Sequence, residues 1–366
     1  MRTVLLSASI GGGHRQAARA LWEALEREGA CDCREADYLR FVPPWERGPT
    51  TAIYAFWLRY WPGAYRWFYH WSNLPSEPKL IAEVFSNAGL GPMRRFLDEA
   101  APDAVVSSFP TTAAVVGRAR AAAGTRFLNA LVVTDFRAHR HWARPEADLI
   151  FVAFPETAQD LVHHGVDPER VRVTGIPILP RYAELPEPET LRRKLGFDER
   201  PVVLLSSGGA GAYRSYRRVL KALLQLDRPL QLVTFDPEQN GLEEEERGPL
   251  RWVRTGLRDD FPEWMGAADL VVGKAGGLTA SEAAALGVPM VIYDPIPGQE
   301  EGNADYLEER GAAVWVRRFD DLLPALRRLL DDEAARRAMS ERARALGRPD
   351  AALQVARELL ERGGRR

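Results

Sequence analysis

The sequence predicts an α/β protein built from two doubly wound, Rossmann-like domains that face a central cleft. Three observations carry this: short apolar runs recur along 366 residues, helical periodicity fills the segments between them, and one proline-rich stretch interrupts the rhythm. A chain of this length with 46% hydrophobic residues buries two medium-sized cores more readily than one.

The first run, Thr3–Ser9, is too short to span a bilayer and gives way to glycines, which marks a buried strand and neither a signal peptide nor a membrane span. Further strands are expected at Ala104–Ser108, Leu128–Thr134 and Leu149–Val152, with helices over His14–Glu28 and Thr111–Ala123. The run IPILPRYAELPEPE, Ile176–Glu189, then breaks regular structure and reads as a linker. Domains are therefore expected at 1–175 and 176–350. In the second, strands are expected at Val202–Ser206, Leu230–Phe235, Leu270–Gly273 and Pro289–Tyr293, and helices over Tyr213–Leu226 and Thr279–Leu286. The pattern Ala351–Glu361 has no strand after it, so residues 351–366 are expected to pack back toward the first domain.

Charge is balanced, with 49 Lys and Arg against 51 Asp and Glu, which argues against a broad nucleic-acid footprint. Cys31 and Cys33 are too close together for an easy disulfide and read as reduced thiols in a cytosol. The acidic run Glu243–Glu246 reads as a solvated loop, and no Asp-x-Asp pair exists to clamp a divalent ion, so neither a metal nor a cofactor is expected.

Three glycine loops stand where a doubly wound fold binds ligands, between a strand and a helix. Gly11, Gly12 and Gly13 permit close approach of another molecule, and the helix start offers unpaired N–H groups. Their spacing is not the dinucleotide fingerprint, because Gln16 stands where a third glycine is needed. His14 at this helix start is biased toward its neutral form, suiting it to take a proton from an alcohol; a plain helix-capping role is the alternative. Asp135, just after a strand, is a second base, an acceptor-orienting group or a cap. Gly208, Gly209 and Gly211 repeat the arrangement in the second domain. The third loop, from Lys274 through Gly276, Gly277, Leu278 and Thr279 to Glu282, leads glycines into a helix with a carboxylate one turn on. A pyrophosphate can dock on its N–H groups while Glu282 accepts from a ribose diol; a capping box between Thr279 and Glu282 satisfies the same spacing. The stiff loop from Asp294 to Asn303 carries Gln299 and Glu300, groups suited to reading sugar hydroxyls.

These residues bring a known family into view. The pieces GGGH at Gly11–His14, VTDF..H..W from Val133 to Trp142, VTGIPI from Val173 to Ile178, and KAGGLTASEAAALGVPMVIYDPIPGQEEGNA from Lys274 to Ala304 resemble the monogalactosyldiacylglycerol synthases and processive diacylglycerol glucosyltransferases. These are relatives of the peptidoglycan enzyme that adds N-acetylglucosamine to lipid I. The resemblance implies a GT-B fold and metal-independent, inverting transfer of a hexose from a UDP-sugar substrate, UDP-glucose or UDP-galactose, to diacylglycerol. By the same resemblance Gly276, Gly277 and Thr279 meet the diphosphate, Glu282 the ribose, Gln299 and Glu300 the hexose, and the backbone near Leu257 and Arg258 the uracil. Gly12, Gly13, Gly208, Gly209, Leu278 and Asn303 line the same binding surface, and His14 is the proposed catalytic histidine. One departure stands out: Phe109-Pro110 follows Ser108 where relatives commonly carry His-Pro.

Between Tyr54 and Trp71 the chain concentrates aromatics, among them Tyr54, Trp57, Trp61, Trp67, Phe68 and Trp71, with Arg59 and Arg66 and no acid from Thr50 to Pro75. Tyr and Trp favour the bilayer interface and arginine favours anionic headgroups, so this segment is expected to dock the protein on the inner, cytoplasmic face of the cell membrane. Packing on the domain core is the ordinary alternative. A UDP-sugar epimerase on the same fold, a transferase of N-acetylglucosamine to a polyprenyl acceptor, and a non-catalytic UDP-sugar sensor are the competing functions; the lipid-seeking aromatics disfavour the epimerase, and the intact His14 disfavours the sensor.

Overall fold

The computed structural model describes residues 1–9, 12–29, 32–74, 89–208, 213–236 and 239–363; the expectations for Gly11, Cys31, Gly209 and Gly211 lie outside them. The chain divides into two compact units. One comprises Met1–Pro180, Pro297–Gln299 and Asp350–Arg366, and the other Arg181–Ile296 and Glu300–Pro349.

The first unit holds six strands: β1 (Arg2–Ser7), β2 (Asp32–Asp37), β3 (Ala104–Ser107), β4 (Leu128–Val132), β5 (Leu149–Val152) and β6 (Val171–Val173). They pair in the order β2-β1-β3-β4-β5-β6, every pair parallel. The central strands are buried along their whole length, as expected when helices cover both faces and the strand reads as a continuous apolar run. Those helices are α1 (Gly13–Arg27), α2 (Pro44–Tyr60), α3 (Pro62–Ser72), α4 (Leu90–Ala100), α5 (Pro110–Ala123) and α6 (Pro155–His163). On α1, Ala18, Leu21, Ala24 and Leu25 recur at helical spacing and are buried against Leu5, Val106 and Leu128.

The second unit contains α7 (Pro188–Lys194), β7 (Val202–Leu205), α8 (Tyr216–Leu223), β8 (Leu230–Phe235), β9 (Leu242–Arg247), β10 (Leu250–Thr255), α9 (Phe261–Gly266) and β11 (Leu270–Gly273). It continues through α10 (Gly277–Leu286), β12 (Met290–Tyr293), α11 (Gln299–Glu309, whose first residue groups with the first unit), β13 (Ala313–Val316), α12 (Leu322–Asp331) and α13 (Glu333–Leu346). The sheet order is β13-β12-β11-β7-β8-β10-β9, parallel except for the antiparallel edge strand β9. Last in the chain, α14 (Ala351–Gly363) belongs to the first unit, where Ala352, Val355, Ala356 and Leu359 join the α1 core cluster.

The acidic run Glu243–Glu246 corrects an expectation: it is strand β9 and not a loop. Arginines on adjacent segments compensate it. Arg251 reaches Glu244 at 2.8 Å, Arg254 reaches Glu243 at 3.1 Å, and Arg200 reaches Glu246 at 3.1 Å. Opposed cross-strand charges stabilise such a pairing, and a charged edge resists addition of further strands. Among the described residues no helix is long and apolar enough to cross a membrane.

Candidate active site

The carboxyl ends of β1, β3 and β4 converge on His14. Gly12 caps α1 without a side-chain hydrogen bond, and Gly13 is the first helical residue. Ser108 Oγ donates to the His14 carbonyl at 3.0 Å, fixing the start of α1 to the end of β3. The imidazole is buried, with Nδ1 3.4 Å from Thr134 Oγ1, the Phe109 ring edge-on at 5.4 Å and the Trp142 ring at 6.4 Å. Burial drives its pKa down to about 4, opposed in part by a hydrogen bond to the Ser108 backbone. At neutral pH the ring is therefore an uncharged proton acceptor. Phe109 is part of what keeps water from it.

Asp135 follows Thr134 and is also buried. Its Oδ2 accepts from Trp142 Nε1 at 3.1 Å, so one tryptophan touches both groups proposed for the chemistry. Gln299, in the short segment that belongs to the first unit, brings Nε2 to 3.4 Å from Asp135 Oδ1.

The aromatic segment forms the pair α2 and α3. Its inner rings pack on one another: Tyr54 on Tyr65 at 5.6 Å, Trp57 on Phe68 at 5.2 Å, and Phe68 on Trp71 at 6.0 Å. Its outer residues Phe56, Tyr60, Trp61 and Trp67 remain exposed, the last two by 66% and 67%. Phe56 meets Tyr60 at 5.1 Å and Trp67 stacks on Trp71 at 6.0 Å, contacts within the helix pair that leave the outward row exposed. The end of α3 is fastened to the loop that bears Asp135 and Trp142. His139 Nδ1 accepts from the His141 N–H at 3.1 Å, which leaves Nε2 to donate to the Tyr69 carbonyl at 2.9 Å. The Arg140 N–H donates to Asn73 Oδ1 at 2.7 Å. Burial lowers the His139 pKa to about 4, so this clamp is neutral too.

In the second unit, α10 starts two residues before Thr279. Gly276 is the cap, no side chain serves it, and the alternative reading, a capping box between Thr279 and Glu282, is not formed. Glu282 lies buried inside the helix, hydrogen-bonded to Tyr182, and burial pushes its pKa up to about 8, with the Tyr182 bond opposing. Leu278 is core, and Asn303 spends its amide on the Ala275 carbonyl at 2.9 Å, securing the glycine turn. Glu300 is buried and engaged twice, by Lys274 Nζ at 2.5 Å and by the Ile296 N–H at 2.9 Å. Gly208 holds φ +69° against the Lys274 stem. Leu257 is exposed beyond β10, and Arg258 beside it is held by Asp260 at 2.7 and 2.9 Å.

The structure thus gathers His14 and Asp135 at one sheet edge, and Gly208, Gly276, Gly277, Thr279, Glu282, Glu300 and Asn303 at the other unit's edge. It separates Gln299 from Glu300, whose side chains serve different surroundings. Sequence reasoning missed Trp142, His139, Tyr182 and Lys274 as working parts. Three of these sit inside the motifs that carried the resemblance; Tyr182 lay in the proline-rich run, where nothing marked it. Among the described residues no three His, Cys, Asp or Glu side chains group as a metal site.

Comparison with known proteins follows this division. Residues 14–178 match the monogalactosyldiacylglycerol (MGDG) synthase family, and residues 187–346 match glycosyl transferases group 1. The processive diacylglycerol beta-glucosyltransferase of Bacillus pumilus is 28% identical over 98% of this chain and 94% of its own length. The protein of the same name from Bacillus subtilis is 29% identical over 91% and 87%. Among solved structures, MurG of Acinetobacter baumannii superposes with a TM-score of 0.66 at 19% identity over 99% of this chain and all of its own. A UDP-GlcNAc 2-epimerase from Neisseria meningitidis gives 0.61 at 12% identity over 99% and 100%. These two likenesses speak for the fold alone, two parallel-sheet units of GT-B type. A region matching the monogalactosyldiacylglycerol (MGDG) synthase family is thus followed by one matching glycosyl transferases group 1, on two parallel-sheet units of GT-B type.

Proposed function

We propose that this glycosyltransferase moves a hexose, glucose or galactose, from a UDP-sugar to diacylglycerol, with inversion at the anomeric carbon. The observation that carries the reading is His14: a buried, neutral imidazole at a helix start, with Asp135 on the neighbouring loop. The near full-length likeness to processive diacylglycerol beta-glucosyltransferases supports the choice of substrates.

In this reading the acceptor oxygen attacks the anomeric carbon and its proton passes to His14. The bond from that carbon to the β-phosphate oxygen breaks, and its electron pair leaves with UDP. Asp135, held by Trp142, orients the acceptor. The N–H groups at the start of α10 stabilise the charge on the departing diphosphate, and Glu282 holds the ribose. The outward row of Phe56, Tyr60, Trp61 and Trp67 sits in the headgroup zone of a bilayer and brings the site to its lipid.

The test is purified protein with a panel of UDP-sugars and diacylglycerol vesicles, read by mass spectrometry of the lipid. A hexosyl-diacylglycerol is expected from the wild type. Replacing His14 by Ala is expected to cut turnover about 100-fold or more while UDP affinity stays close to wild type. Unchanged turnover removes His14 from the mechanism, and a wild type that glycosylates no lipid removes the function.

A further inference from the structure

We propose that Lys274 is the cation that neutralises the donor's diphosphate, and that Glu300 is the residue that positions it. The inference rests on the reading of the second unit as a UDP-sugar site and adds to it the source of the positive charge.

Lys274 follows β11 and opens the glycine turn into α10. Its side chain is only 13% exposed, unusual for a lysine, whose head ordinarily seeks water. It is folded inward onto Glu300, Nζ to Oε1 at 2.5 Å, and Glu300 is anchored through its other oxygen on the Ile296 N–H at 2.9 Å. Two glycines frame the pair. A Cβ on Gly208 would stand 2.7 Å from Lys274 Cε, and a Cβ on Gly276 would stand 3.4 Å from Glu300 Oε1 and 3.8 Å from Lys274 Nζ. The ammonium therefore lies between the two glycine turns assigned to phosphate, where the glycines carry no side chain and a ligand's oxygens can come close.

The chemistry calls for a charge here. A helix start supplies only about half a positive charge, and the chain has no Asp-x-Asp pair to recruit a divalent ion. As the bond to the anomeric carbon breaks, the electron pair moves onto the diphosphate, and a full positive charge beside it lowers the barrier. An ammonium carries three donors, so one bond to Glu300 leaves capacity for phosphate oxygens. Glu300 keeps the flexible stem ordered before the nucleotide arrives, which removes an entropic cost from binding.

Calorimetry of UDP and of uridine separates a role in binding phosphate from a role in folding. Lys274→Met leaves a buried carboxylate unpaired and so risks misfolding; the double variant Lys274→Met/Glu300→Gln removes both charges and keeps the shape. In the double variant UDP is expected to bind about tenfold more weakly or worse while uridine stays within about twofold, the cost of a lost charged hydrogen bond. Glu300→Gln alone, which retains the cation and loosens its anchor, is expected to weaken UDP by about threefold and spare uridine. A double variant that keeps the wild-type preference for UDP over uridine overturns the role of Lys274, and an unchanged Glu300→Gln overturns its positioning. If the wild type itself binds no UDP, the donor reading falls first, and this inference with it.

Discussion

A histidine that must accept a proton is better served by a dry pocket than by a wet one, provided that the proton leaves the acceptor only as the new bond forms. His14 illustrates the balance: burial lowers its pKa to about 4, so the acid limb of the pH profile lies well below neutrality. The neutral base is the active form, so kcat/KM is flat near pH 7 and falls as pH drops through about 4. Phe109, edge-on at 5.4 Å, is one of the groups that excludes water. Phe109→Ala is expected to hydrate the ring and carry the acid limb upward toward about 6.5, the value of a solvated histidine. A pH profile of kcat/KM over this range checks it, and an unmoved limb would show that other walls of the pocket dominate. At this scale the sequence was partly legible. His14 and Asp135 stood at strand ends, where ligands collect, and glycines flagged the turns. Tyr182 was invisible because its partner Glu282 is adjacent only after folding, and Lys274 marked only the start of a glycine loop because burial is a property of the fold.

Among elements, runs with a strong, long period were readable, and runs whose identity depends on a neighbour were not. All eight strands expected from apolar content formed, whereas β2, β6, β9, β10 and β13 escaped notice. β2 reads DCREAD and sits at a sheet edge, half-exposed, so nothing in it demands burial. β9 is acidic because its arginine partners lie on other segments, and β10 alternates large apolar residues with those same arginines. The aromatic pair α2 and α3 shows the reverse case, an element whose composition exceeds what packing requires. With inner rings packed on one another and Trp61 and Trp67 exposed by 66% and 67%, the outward row is free to meet lipid. Trp61→Ala together with Trp67→Ala is expected to weaken binding to anionic vesicles by about thirtyfold or more, since each interfacial tryptophan contributes on the order of 1 kcal/mol or more. Sedimentation with vesicles, alongside UDP calorimetry that is expected to stay unchanged, checks this; undiminished vesicle binding would leave the row without its proposed purpose.

At the scale of the whole molecule, the chain leaves its first unit at Pro180, builds the second, and returns through α14 to finish the first. The returning helix buries Ala352, Val355, Ala356 and Leu359 in the core around α1, and its rim pairs Glu358 with Arg172 at 3.1 Å and Arg357 with Glu28 at 2.9 Å. The apolar face carries the energy, because the partly exposed ion pairs contribute little. Chain order therefore misstates cohesion: residues that come last in sequence stabilise the unit that comes first. Deleting residues 351–366 is expected to destabilise the first unit by on the order of 5 kcal/mol, from one lost valine, one leucine and the alanines beside them. The second unit keeps its own core, centred on Val203, Leu232, Leu270 and Val291, so UDP affinity is expected to hold within about twofold. Scanning calorimetry with and without UDP distinguishes the units, since a ligand raises only the transition of the unit that binds it, by about 2.7 kcal/mol at a hundredfold excess over Kd. In the truncated chain the transition that UDP does not shift should fall while the shifted one stays. Loss of both together would show that α14 supports the second unit as well, and that the two units do not melt as independent bodies.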